Sequence, residues 1–226
     1  MSVYAISDVL GEYDLFLKLL EKINFSNEDT LYVLGDFIDK GKKSLNLLKY
    51  IYERENIRAI LGNHEQYFLS YYDSLMWDFK EGANEADVLK KLQEYFPEDT
   101  EILEWEHVDF LDGLPAFIEE DEFICVHAGV QLDYDTNCVL SMREQEPSLL
   151  FNDRRFANNT VITKNSKTIL YGHTPCHYEN GSGEFIKTPR EGQFYNGKNL
   201  FEYVKIRLDT GVHFTRMLGV LRKRIK

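Results

Sequence analysis

Three short apolar runs, at residues 3–6, 30–34 and 57–61, each stop on a polar motif, with helix-period segments between them. Leu15, Phe16, Leu19, Leu20 and Ile23 recur at the spacing of one helix face, and Ser44 reads as the N-cap of a second helix over 45–52. The order is β-α-β-α-β, which predicts a right-handed parallel α/β sheet. In open α/β sheets ligands bind beyond the carboxyl ends of the strands, so motifs distant in sequence converge there.

Further strands are expected at 123–126, 168–171, 201–208 and 214–221. Residues 64–112 are acidic and aromatic and read as a helical insertion beside the site, clearest at 86–96 and ended by Pro97. Residues 180–199 are polar and glycine-rich and read as a loop. The 226 residues suit one domain, 1–226, and 43% apolar content is enough for a sizeable core.

The formal charge is −12, which argues against a general nucleic-acid binder. The basic cluster at 222–226 reads as a solvated tail. No apolar stretch approaches the roughly 20 residues that span a bilayer, and the chain enters a strand-like run directly after Met1. A cytoplasmic protein without membrane partners is expected. Cys125, Cys138 and Cys176 form no CxxC pair and suggest no disulfide framework.

The motifs themselves are Asp8-Val9-Leu10-Gly11, Gly35-Asp36-Phe37-Ile38-Asp39-Lys40-Gly41, Gly62-Asn63-His64-Glu65, Val126-His127-Ala128-Gly129 and Gly172-His173-Thr174-Pro175. Each alone is an ordinary turn. Together they offer carboxylates, an amide oxygen and imidazoles in the number that a bound metal pair needs. An oxygen and nitrogen donor set without thiolate suits Mn, Fe, Co or Zn. A carboxylate such as Asp36 can bridge two ions, and His64, next to Asn63, can protonate a leaving oxygen. Asp39 can hold the His64 imidazole, and Lys40 can meet a phosphate oxygen. His107 and His213 read as surface or packing residues. His177 follows Pro175, so it is not placed four residues on from His173 along one helix.

At these residues the sequence resembles the calcineurin-like metallophosphoesterases, within them the phosphoprotein phosphatase branch. Small bacterial and phage serine/threonine phosphatases and the symmetrical dinucleoside tetraphosphatases are the nearest kinds. The resemblance runs from Tyr4 to the stretch Lys205–Gly211 and residues 218–222. It implies an α/β fold, a four-layer αββα metallophosphoesterase sandwich with a helical insertion. It also implies a dimetal centre, Mn²⁺ foremost with Fe, Zn or Co compatible. Asp8 would bind the first ion, Asp36 would bridge, and Asn63, His127 and His173 would complete the second. A metal-bound hydroxide would attack phosphorus in line, with His64 as general acid and Asp39 behind it.

The chain departs from the pattern at three places. Leu10 stands where the family has His, so the first ion loses an imidazole and one tight and one weakened site are expected. Lys40 stands where the family has a phosphate-binding Arg, keeping the charge without the bidentate fork. Leu61 replaces an Arg before Gly62. A further phosphate-binding Arg is expected at Arg154 or Arg155. The expected function is hydrolysis of phosphoric monoesters, with a phosphorylated protein or small phosphate ester as substrate. Two alternatives stand beside it. One is a pseudophosphatase that binds a phosphorylated partner. The other is a dinucleoside polyphosphate hydrolase using Tyr67, Phe68, Tyr71, Tyr72 and Trp77 to stack on bases.

Overall fold

A computed structural model describes residues 1–78, 84–159, 161, 167–190 and 199–224. The chain runs β1 (Ser2–Ile6), α1 (Tyr13–Lys22), β2 (Thr30–Val33), α2 (Ser44–Tyr52), β3 (Ile57–Ala59), α3 (Asn63–Asp78), α4 (Glu85–Gln93), α5 (Trp105–Asp112), β4 (Phe117–Glu119), β5 (Phe123–Val126), α6 (Pro147–Asn152), β6 (Thr168–Tyr171), α7 (His177–Asn180), β7 (Ile186–Pro189), β8 (Tyr203–Arg207), α8 (Val212–Thr215) and β9 (Leu221–Arg224). One sheet has the order β3-β2-β1-β9, the other β4-β5-β6-β8-β7. The parallel β1–β2–β3 pairing agrees with the sequence reading, β5–β6–β8 form a second parallel set, and β9, β4 and β7 join antiparallel at the flanks.

Strand alternation creates the layers. Tyr4, Ile6, Leu31 and Val33 face a core shared with Phe16, Leu20, Leu47 and Leu48 of α1 and α2. Ala5, Tyr32, Leu34 and Ile60 face the other way, onto Phe123, Cys125, Leu170 and Ile206 of the second sheet. Ile124, Val126, Ile169 and Tyr171 then meet Leu150 and Phe156 on the far side. The result is helix, sheet, sheet, helix, the architecture that the resemblance implies. Helices α3 to α5 occupy the expected 64–112 region. Phe68, Val88, Leu92, Val108 and Leu111 bury them in the same core as α1 and α2.

Several local expectations change. Ser44 is the first residue of α2 and not its cap. The orphan N–H of Leu45 instead donates to Asp99 Oδ2 at 2.6 Å, a cap delivered from across the fold. Helix α4 ends at Gln93, short of Pro97. The expected loop at 180–199 contains β7, which pairs with β8, while 191–198 lie outside the described residues. The expected strand at 214–221 is instead the short α8, an irregular stretch, and β9 from Leu221. Gly211 (φ +69) starts that turn, and Phe214 N–H closes it on the Gly211 carbonyl at 2.8 Å. The basic end is no free tail through Arg224. Residues 221–224 pair with β1, Arg222 lies 5.5 Å over the Tyr4 ring and donates to Ser2, and Lys223 pairs with Glu122. Cys125, Cys138 and Cys176 are free, buried thiols. No helix among the described residues is long and apolar enough to cross a membrane.

Candidate metal centre

A cleft of about 320 Å³ opens where the two sheets meet, and its lining includes Asp8, Leu10, Asp36, Lys40, Asn63, His64, Arg154, His173 and Asp209. Asp8 follows β1, Asp36 follows β2, Asn63 opens α3, His127 follows β5 and His173 follows β6. The strand ends therefore bring the predicted residues together. The backbone reinforces this: Leu10 N–H donates to the Asp36 carbonyl and Gly11 N–H to the Phe37 carbonyl, each at 2.8 Å.

The approach is close enough to exclude side chains from two glycines. A Cβ on Gly62 would collide with the Asp36 carboxylate, and one on Gly172 with Ser7 and the Asp8 carboxylate. Asp8, Leu10, Asp36, Asp39, Lys40 and His173 all have positive φ, between +50 and +72. Such backbone is costly outside glycine and persists where the surroundings enforce it, as at functional sites.

Asp36, His127 and His173 bring one ligand atom each within 4.8 Å of one another. His127 Nδ1 donates to the Leu34 carbonyl at 2.7 Å, which turns Nε2 toward Asp36 Oδ2 (3.2 Å) and Asn63 Oδ1 (3.0 Å). His173 Nδ1 lies 2.7 Å from the same Asn63 oxygen, and its Nε2 is buried with no hydrogen-bond partner. Asp8 is held by Ser7 Oγ and by the His173 N–H, 3.1–3.2 Å from its two oxygens. Buried oxygens and imidazoles converging on one point, with a nitrogen left over, fit a divalent cation. A histidine whose second nitrogen is fixed by a backbone carbonyl is the usual arrangement for a metal ligand.

The electrostatics of the bare site point the same way. Burial pushes Asp8 up to about 7, with Asp36 adding and His127 opposing. Burial also opposes charge on Asp36 and His127, but their contact overrides it, taking Asp36 to about 2 and His127 to about 10. Burial and the His127 charge press His173 to about 3. Burial and Asp8 hold Asp209 well above the usual carboxylate range. Three buried carboxylates facing one cleft call for positive charge.

Beside this set, His64 Nδ1 lies 2.7 Å from Asp39 Oδ2, and that bond is the chief cause holding the Asp39 carboxyl below its usual range. His64 N–H donates to Asp36 Oδ1 at 2.9 Å, which ties the pair to the centre. Lys40 and Arg154 both line the cleft. Arg155 does not: its guanidinium turns to Asp153 at 3.0 Å, so of the two candidates Arg154 faces the site. Leu10 stands in the cleft wall and Leu61 is buried in the helix-side core. Glu12, two residues after Leu10, turns to Arg216 at 3.0 Å. His107 is a packing residue, its Nδ1 accepting from Glu104 N–H at 3.1 Å.

Sequence reasoning missed five contributors. Glu65 is fully buried and accepts N–H bonds from Asp36, Phe37, Ile38 and Gly62, at 2.7 to 3.1 Å, clamping the second motif to the third. Asp209 follows β8 and accepts from Gly211 N–H at 2.8 Å; an Asp-x-Gly after an apolar run was its available signal. His213, expected at the surface or in packing, lines the cleft 3.8 Å from Glu12. Tyr178 and Phe214 also line it. Of the aromatic residues proposed for base stacking, Tyr67 stands edge-on to the His64 ring at 5.8 Å, and three others pack away from the cleft. Phe68 packs on Tyr95 and Phe96, Tyr71 on Tyr95, and Tyr72 on Trp105.

A family model described as calcineurin-like phosphoesterase matches residues 1–212. Among curated relatives, the symmetrical bis(5'-nucleosyl)-tetraphosphatase of Neisseria meningitidis is 33% identical over 133 residues, 58% of this chain and 44% of that protein. That of Delftia acidovorans is 28% identical over 152 residues, 66% of this chain and 52% of that protein. The chain thus spans about half the length of these relatives. Among solved structures, a candidate diadenosine tetraphosphatase superposes with a TM-score of 0.65 at 16% identity, over 98% of this chain and 88% of that one. A cold-active protein-tyrosine phosphatase of a psychrophilic Shewanella gives 0.61 at 18%, over 98% and 74%. At such identities these likenesses speak for the fold alone.

Proposed function

Because this chain belongs to the calcineurin-like phosphoesterases, we propose that its cleft hydrolyses phosphoric esters with His64 as the proton donor. The observation that carries the reading is the His64–Asp39 pair, 2.7 Å apart, with the His64 backbone N–H on Asp36 of the Asp36–Asn63–His127–His173 cluster at 2.9 Å. Asp36, Asn63, His127 and His173 would hold one divalent cation. Asp8 and Asp36 would hold a second, more weakly, since Leu10 offers no donor. Mn²⁺ is the working choice, and the donor set also admits Fe, Zn or Co. When bound, such ions neutralise phosphoryl oxygens and make water acidic enough to attack at neutral pH.

The chain's own residues do the rest. Lys40 and Arg154 bring positive charge to the rim and draw in the phosphate. Asp39 occupies Nδ1 of His64, which leaves Nε2 for the leaving oxygen. Asp36 accepts the His64 backbone N–H and so fixes where that imidazole stands. General acid catalysis of this kind contributes about 10²- to 10⁴-fold.

Two substrate readings follow. A monoester or phosphoprotein reading fits the charge and shape of the cleft. A dinucleoside polyphosphate reading is favoured by the relatives, which are named as symmetrical bis(5'-nucleosyl)-tetraphosphatases. The first experiment is p-nitrophenyl phosphate turnover against Mn²⁺ concentration, wild type beside His64→Ala. Turnover that falls about 10²- to 10⁴-fold in the variant, with metal content unchanged, supports the reading. Absence of turnover in wild type at saturating Mn²⁺, with metal still bound, overturns it in favour of a binding protein. Product analysis with a dinucleoside tetraphosphate then separates the two substrate readings.

A further inference from the structure

We infer that Tyr178 and Phe214 form a stacking platform for the base of a nucleoside phosphate whose phosphate sits in the metal cleft. Both residues line that cleft, on α7 and α8. Both are large apolar side chains left in solvent, 67% and 65% exposed. Their exposure sets them at the rim, whereas Asp8, Asp36 and Asp209 form the buried floor. The rings lie 5.8 Å apart, and His177 packs against both, 4.2 Å from Tyr178 and 4.7 Å from Phe214. The Gly211 backbone backs that imidazole closely.

An aromatic pair left about two thirds exposed keeps most of its apolar surface in water after folding. Its gain comes when another flat apolar group covers it. Every base offers a π-face, and stacking on aromatic side chains recognises bases without reading their edges. Ligand connectivity favours a base over a phosphotyrosine ring. A phenyl ring bonded directly to the phosphate oxygen would be drawn toward the buried floor beside His64. A base stands a ribose farther out and reaches the rim. Lys40 and Arg154, also exposed in the lining, fall to the phosphates between.

This inference rests on the phosphoester reading above, and the experiment keeps the two apart. Isothermal titration of the Mn²⁺-loaded full chain compares AMP with ribose 5-phosphate, which carries the same phosphate and sugar without a base. AMP is expected to bind about tenfold more tightly, the size of one stacked base. The preference should vanish in Tyr178→Ala/Phe214→Ala while ribose 5-phosphate affinity stays put, and Tyr178→Phe should keep it. Both positions are on the surface, so the variants fold. Equal affinities in wild type, or a preference that survives the double variant, overturn the platform while leaving ester hydrolysis intact. A preference for phosphotyrosine over phosphoserine, without one for AMP, also overturns it. Loss of all turnover with p-nitrophenyl phosphate would refute the hydrolytic reading alone, since base preference is read by binding.

Discussion

Leu10 is an apolar side chain in the wall of a polar cleft, held at φ +50 by hydrogen bonds from its neighbours. Histidine accepts that backbone region more readily than leucine does. Leu10→His therefore places a donor beside Asp8 at little conformational cost. The Mn²⁺ concentration for half-maximal turnover is expected to fall about tenfold or more, and calorimetry should show a tighter second equivalent. An unchanged metal requirement would mean that position 10 does not face the first ion. Glu65 makes the opposite case, a residue whose two oxygens satisfy four backbone N–H groups. Glu65→Gln turns an amide N–H₂ toward those donors. Each donor left unpaired costs about 1–3 kcal/mol, so the urea midpoint should fall while the m-value stays constant. The convergence of the five residues expected as ligands was legible because they sit in short motifs at strand ends. Glu65 was legible only as a motif letter, because its partners lie up to 29 residues away and no local spacing records them.

At the scale of elements, strands buried on both faces announce themselves as apolar runs. β1, β2, β5 and β6 do so, and their sequence bounds hold to within a residue or two. The edge strand β7 does not, since its order comes from pairing with β8 and not from its own pattern. Strand β8 carries a further demand, a lysine buried at 2% exposure. Lys205 Nζ donates to the carbonyls of Phe156, Ala157 and Asn159 at 2.6, 3.0 and 2.8 Å, three donors for three acceptors. That segment carries Arg154 at its start. Lys205→Met should loosen it, raising KM for p-nitrophenyl phosphate several-fold with kcat little changed. Burial, with Arg207 adding, presses the Lys205 pKa down to about 8. The unfolded chain keeps that proton to about 10.4, so between these values it binds more protons than the folded one. Stability then rises with pH across this window in wild type and not in the variant. Urea midpoints of the two proteins from pH 8 to 10 measure the widening gap, and parallel curves would place the ammonium in contact with water.

At the scale of the whole molecule, the centre is assembled from both sheets. Asp8, Asp36 and Asn63 come from the ends of the first sheet's strands, and His127 and His173 from the second's. Beneath them the sheets meet through an apolar layer that includes Tyr32, Leu34, Phe123 and Leu170, so the fold does not depend on an ion to bring the sheets together. What an ion relieves is the crowding of Asp8, Asp36 and Asp209, all buried in one cleft. A cation bound to the folded state alone stabilises it by about 2.7 kcal/mol at a hundred times its Kd. For a chain of this size that corresponds to a rise in Tm of about 5–10 °C. Thermal unfolding after exhaustive chelation, then with increasing Mn²⁺, should show that rise. His173→Ala should lose most of it, because it removes a proposed ligand that lies 2.7 Å from Asn63 Oδ1 and leaves the apolar layer untouched. Tyr178→Ala, at the rim, should keep all of it. A Tm indifferent to Mn²⁺ in wild type would show that the converging donors hold no ion, and that the crowded carboxylates are carried by protons instead.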